Sequence, residues 1–215
     1  MNTKKTCLAL CVLSIATLQL RAQTNANLIT NPEFGAKPDQ LTGWRSDFPS
    51  EAWYVANSKY VSASTMEGKS CVRLLLPPGI AGNQGGKIES GFVKAEPGAV
   101  YRVSVDCMTG DFGAKLHAEA WTHDPDPAKS RNIFRVPADG GHPALVMCYR
   151  AQLPDPPAKS HQWTTVSREF TLPETVVVGG EDQKPEYLSV KAVVYAGTHN
   201  GGSSWFTNFR LTRVR

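Results

Sequence analysis

Lys115, His117, Glu119, Trp121 and His123 occupy every second position of the run "AKLHAEAWTHD". In an extended strand that spacing aims all five at one sheet face. An indole beside a carboxylate, an imidazole and an ammonium suits a sugar. The ring stacks on the apolar C–H face of a pyranose, while the polar groups bond its hydroxyls. Lys191 and Tyr195 lie on the corresponding polar face of a later run, "YLSVKAVVYAG", and join the set. Trp53 and Tyr54, in "SEAWYVANSKY", form a second aromatic pair, one packing inward and the other left for a loop rim. On this reading Trp121 serves binding and contributes little to the core. The alternative is that the stripe is only the solvated face of a half-buried sheet.

Other chemistries find less support. His117, Glu119 and His123 suggest a metal, but the outer two stand about 20 Å apart along a strand rising about 3.3 Å per residue. One ion cannot bridge that span. The chain contains no G-x-S-x-G elbow, no H-E-x-x-H and no phosphate loop. Glycoside hydrolysis needs paired carboxylates, and Asp106 and Glu119 are the only acids that alternation places on opposing polar faces. Both read equally well as surface acids, so no catalytic residue is assigned.

The elements that must position these side chains are short alternating runs bounded by Gly, Pro, Asp and Asn. "YRVSVDCMTG" sets Tyr101, Val103, Val105 and Cys107 against Arg102, Ser104 and Asp106. "AKLHAEAWTHD" turns Ala114, Leu116, Ala118 and Ala120 inward, and "YLSVKAVVYAG" buries Leu188, Val190, Ala192 and Val194. "CVRLLLP", "ALVMCYRAQL", "WTTVSREFTLP" and "SWFTNFRLTRV" are further strands. No long helical period occurs. The pattern predicts an all-β, antiparallel sandwich. Seven of the fifteen prolines fall between His123 and Trp163. That stretch reads as an excursion over 123–163 carrying one or two strands, with a hairpin around "ADGGHP".

The first residues read as an export signal. Lys4 and Lys5 precede an apolar stretch from Cys7 to Leu20, and Ala22 supplies the small residue before cleavage. The stretch is too short to span a bilayer, and no later segment resembles a membrane helix. Leu8-Ala9-Leu10-Cys11 has the outline of a lipoprotein box, but Leu10 is too large for the cleavage position. The expectation is a signal peptide over 1–22, one domain over 23–215, and a secreted or periplasmic product. Removing the signal lowers the formal charge from +4 to about +1. No block of like charge remains, which argues against nucleic acid or an anionic surface as partner. Cys71, Cys107 and Cys148 remain, an odd number that allows at most one internal bridge.

Four motifs stand in a recognisable order. "NLITNPEF…LTGW", "VKAEPGAVYRVSVDC", "HQWTTVSREFTLPE" and "SWFTNFRL" together resemble carbohydrate-binding modules of the CenC type (families 4 and 9). The resemblance covers nearly all of the chain beyond the signal. It implies a galactose-binding-like jelly roll, with the opening stretch as first strand and turn, Trp44 as a buried plug, and Trp163 and Trp205 in the core. It also implies a structural calcium held by oxygens of the early loop and the last strand. Glu33 and Asn208 are the residues left for that role, since Gly35 stands where the pattern has Glu and Asn208 where it has Asp. A metal-free turn is the alternative.

The resulting expectation is an exported, non-catalytic module that binds poly- or oligosaccharide, acting beside a separate glycan-degrading or cell-surface protein. An exported structural or adhesive sandwich without sugar binding, and a small glycan-active hydrolase, are the alternatives. No cofactor beyond the calcium is expected.

Overall fold

A computed structural model describes residues 26–35, 41–46, 60–83, 85–110, 112–127, 135–136, 142–195 and 201–215. The expected signal over 1–22 and the Trp53–Tyr54 pair lie outside these residues. The strands in chain order are β1 (Trp44–Arg45), β2 (Val61–Met66), β3 (Lys69–Leu76), β4 (Gly86–Ser90), β5 (Val93–Lys94), β6 (Val100–Thr109) and β7 (Lys115–His123). They continue as β8 (Arg135–Val136), β9 (Leu145–Gln152), β10 (Thr164–Thr171), β11 (Val176–Val178), β12 (Glu181–Gln183), β13 (Tyr187–Val194) and β14 (Gly202–Arg213). Among the described residues the helix is a single turn, Pro78–Ala81.

Two antiparallel sheets form the sandwich that the alternation predicts. One runs β1-β4-β13-β7-β9-β8 with β5 paired to β13; the other runs β10-β6-β14-β3-β2. The inward sets meet between them. Val103, Val105, Val72, Leu74, Leu76 and Leu211 of the second sheet pack with Leu116, Ala118, Leu188, Val190, Ala192 and Ile88 of the first, all fully buried. Inside the proline-rich excursion, β8 pairs back on β9 as a hairpin. Among the described residues no helix is long and apolar enough to cross a membrane.

The motif "EPGAVY" acts as a corner. Gly98 takes φ +78°, and the Tyr101 hydroxyl accepts the Glu96 amide at 2.8 Å. The opening stretch also has a physical role, although residues 26–35 form no regular strand. The Asn27 side chain donates to the Phe209 carbonyl at 2.8 Å and accepts the Leu211 amide at 3.0 Å, tying the segment to β14. Trp44 is the expected plug. Its ring lies 4.9 Å from Phe34 and 4.6 Å from Phe209, and its Nε1 donates to the Asn31 carbonyl at 3.0 Å.

Trp163 and Trp205 depart from the expectation. They are half-buried on the outside of the five-stranded sheet, with the Lys69 ammonium over one ring and the Arg73 guanidinium over the other. Trp205 follows the inward Ser204 and precedes the inward Phe206, so alternation turns it out. All three described cysteines are free thiols. Burial raises their pKa values, to about 11 for Cys71 and about 12 for Cys107 and Cys148.

Candidate functional site

The seven-stranded sheet carries the core on one face and a polar cluster on the other. Register sets the rows. Glu89, Lys191 and His117 lie side by side across β4, β13 and β7, with Gln152 of β9 next in line. Ser189, Glu119 and Arg150 form the adjoining row. Four expected residues, His117, Glu119, Trp121 and Lys191, therefore do come together.

Their environment differs from the expectation. Glu119 and Glu89 are 1% exposed, Lys191, Lys87 and His117 2%, and Trp121 3%. The face is neither a solvated surface nor an open plate. Trp121 is held inside by its Nε1, which donates to Ser189 Oγ at 2.9 Å, while Ser189 Oγ donates to Glu89 Oε1 at 2.7 Å. One oxygen of Glu119 receives both Lys191 Nζ and Arg150 Nε at 2.6 Å. Arg45 lies 3.0 Å and Lys87 3.8 Å from Glu89 Oε2. Burial alone would raise the Glu89 pKa. The charges of Arg45, Lys87 and Lys191, with the Ser189 hydrogen bond, outweigh it and hold the carboxyl below its ordinary 4.5.

Arg150 reaches this face through a bulge in β9. Ala120 opposes Tyr149 while Trp121 opposes Met147, which leaves Cys148 as the extra residue. Met147 and Arg150 thus share the polar face, with Arg150 Nη2 3.4 Å from Met147 Sδ. Above Trp121, an aromatic group forms the rim. Phe92 meets Trp121, His142 and Tyr187 edge-on at 5.4, 5.1 and 6.2 Å, and the Arg45 guanidinium lies 5.0 Å from its ring centre. Phe92, His142 and Tyr187 are half-buried, and Lys94 Nζ donates to the Tyr187 hydroxyl at 2.8 Å. The sequence reading missed Glu89, Arg150, Phe92 and Tyr187. Tyr195, by contrast, lies past the end of β13 at 38% exposure.

His117 is the least satisfied member, because its buried Nδ1 has no hydrogen-bond partner. Burial is the main cause of a pKa lowered from 6.5 to about 3, with Lys191, Arg150 and Lys115 adding to it and Asp155 opposing. The folded protein thus keeps a neutral ring where the unfolded chain takes up a proton. Stability is full above about pH 6.5 and falls toward pH 3 by up to about 1.4 kcal/mol per unit. Urea melts between pH 7 and 5 should show this slope and lose it in His117→Gln. Parallel profiles would exclude His117 as its source. The Glu89 contribution falls below 4.5, outside that interval.

No protein-family model matches the chain, and no curated protein matches it. Solved structures do. An arabinose-bound α-L-arabinofuranosidase aligns at TM-score 0.55 and 11% identity, over 88% of this chain and 26% of its own. The enzymatically active domain of bacteriophage CBA120 tailspike protein 4 aligns at 0.50 and 8%, over 87% and 21%. A family 61 carbohydrate-binding module in complex with β-1,4-galactotriose aligns at 0.44 and 16%, over 87% and 99%. The likeness is one of fold. This chain spans about a quarter and a fifth of the first two proteins.

Asp106 and Glu119 lie on the outer faces of different sheets with the core between them, and stacked sheets are about 10 Å apart. They cannot flank one glycosidic bond, which needs separations of about 5–9.5 Å. Glu33 and Asn208 do line one cleft of about 380 Å³, together with Lys69, Asp106 and Arg210. The donor set does not fit calcium. The Asn208 Oδ1 that a metal would require accepts Arg210 Nε at 2.9 Å, and its Nδ2 faces Asp106 Oδ2 at 3.2 Å.

Proposed function

We propose that the protein is an exported, non-catalytic module that holds a poly- or oligosaccharide at the aromatic rim of the polar face of the seven-stranded sheet. The observation that carries this reading is the burial of Lys87, Glu89, Glu119 and Lys191 in a connected network on the side away from the core. Buried ion pairs are seldom more stable than apolar packing of equal volume. Folding alone gives no reason for them, and such departures from core chemistry concentrate at functional sites. Phe92 and Tyr187 are the accessible rings, so the stacking role expected of Trp121 passes to them. The export reading rests on the basic head and apolar stretch of residues 1–22.

A glycan array of the secreted protein, followed by a reducing-sugar assay on every hit, tests the reading. Binding without release of reducing ends is expected. Phe92→Ala and Tyr187→Ala should each weaken binding to the best glycan about tenfold or more, equivalent to roughly 1.4 kcal/mol. Their melting temperatures should change little, because both rings are already half-exposed. Unchanged affinity in both variants would remove this rim from the site.

One observation favours a second reading, an exported structural or adhesive sandwich. The central network is exposed by only 1–3%, so the same charges can serve as an internal frame. A silent glycan array would favour it.

A further inference from the structure

The cleft below the β14 bulge is built around protein cations. Asn208 is the extra residue of β14, between the pairs Thr207–Asp106 and Arg210–Ser104, and it takes φ +52°. Asparagine tolerates this left-handed conformation better than most residues. The bulge turns Phe206, Phe209 and Leu211 all inward and leaves the Asn208 amide at the cleft. Its oxygen accepts a hydrogen bond from Arg210 Nε and its nitrogen donates one to Asp106. The other Asp106 oxygen accepts Thr165 Oγ1 at 2.6 Å, and Lys69 Nζ stands 4.0 Å from the carboxylate. Thr207 Oγ1 donates to the Ser70 carbonyl at 2.7 Å, and the Phe209 amide to the Pro32 carbonyl at 3.1 Å.

From this arrangement we infer that Arg210, assisted by Lys69, is a resident counter-cation that does the work of a structural metal. It holds the Asn208 amide in place without an ion from solution, and so fixes the bulge from which the Phe209 amide bonds the Pro32 carbonyl of the turn at residues 31–35. The electrostatics favour this assignment. A divalent cation needs six to eight oxygens at about 2.3–2.6 Å. Here the amide oxygen already points at a guanidinium, and Arg210 and Lys69 balance the two carboxylates of the cleft, Glu33 and Asp106, which leaves no net negative charge to draw another cation. The inference is independent of sugar binding. It makes the fold insensitive to the calcium level of its surroundings.

Thermal melts of the full chain in calcium and in EGTA test this directly. The two melting temperatures should agree within about 2 °C, and Arg210→Ala should melt about 2–4 °C lower in both buffers. Terbium is the metal probe, because Trp163 lies under Lys69 and can sensitise its luminescence. The unmodified protein should stay dark. The double variant Asn208→Asp/Arg210→Ala gathers three carboxylates with Glu33 and Asp106, and should bind terbium and gain a calcium-dependent rise in melting temperature. Three results would overturn the inference: a drop beyond about 5 °C on chelation of the unmodified protein, an unchanged melt for Arg210→Ala, or a double variant as unresponsive as its parent. The chelation result needs no variant to fold.

Discussion

Glu119→Gln is expected to lower the unfolding free energy by about 3–5 kcal/mol, the usual cost of removing one member of a buried ion pair. The substitution keeps shape and volume, so the loss reports charge. Glu119 accepts Lys191 and Arg150 on one oxygen, and Lys191 has 2% of its side chain exposed. A buried ammonium that loses its carboxylate cannot easily recover water. Adding Lys191→Met should recover part of the loss, because apolar replacements of buried pairs are often neutral or better. Equilibrium urea unfolding of both variants measures the effect. A change below about 1 kcal/mol, the value of a surface pair, would show that water reaches this network freely.

Trp44→Ala should be at least as damaging, at about 3–5 kcal/mol. The indole is 8% exposed and packs on Phe34 and Phe209 from two other segments. Its loss opens a void at the point where the chain enters the sandwich. It also removes the donor to the Asn31 carbonyl, in a turn where Asn31 and Phe34 both have positive φ. Trp121→Ala belongs in the same class. The sequence reading made Trp121 dispensable to folding, yet its Nε1 is anchored on Ser189 and its ring is buried. A Trp44→Ala protein that melts like its parent would show that the entry turn stands without its plug.

The frame was readable wherever one side of a strand is apolar. β6, β7 and β13 each bury every second residue toward the core, and period two fixes that side without ambiguity. The same period cannot tell whether the opposite side meets water. That is why Lys191 and Glu119 read as surface residues and proved to be interior ones. β4 offers a single large apolar side chain, Ile88 between Lys87 and Glu89, too short a run to mark a period, which hid Glu89. Arg150 was hidden for another reason, since strict alternation groups it with Cys148 and the bulge places it with Met147. Phe92 lies between two strands, where no period applies. At the calcium position the departures at Gly35 and Asn208 were visible as residue types. The part played by Arg210 depends on a hydrogen bond across the bulge, which spacing does not encode.

The place of β14 has a consequence for how the chain comes to be folded. It is the last strand in sequence order, yet it sits in the middle of its sheet, with β6 on one side and β3 on the other. During synthesis, the β2–β3 hairpin and the β6–β10 pair can each form while the tail is still on the ribosome. Neither can join the other until the final segment arrives. Until then β3 and β6 each keep one open edge, with the backbone groups that invite association between chains. Assembly of this sandwich is therefore not a gradual build-up from the amino terminus. It is a single late closure, slow in the manner of folds dominated by distant pairings, and most exposed to aggregation just before its final step.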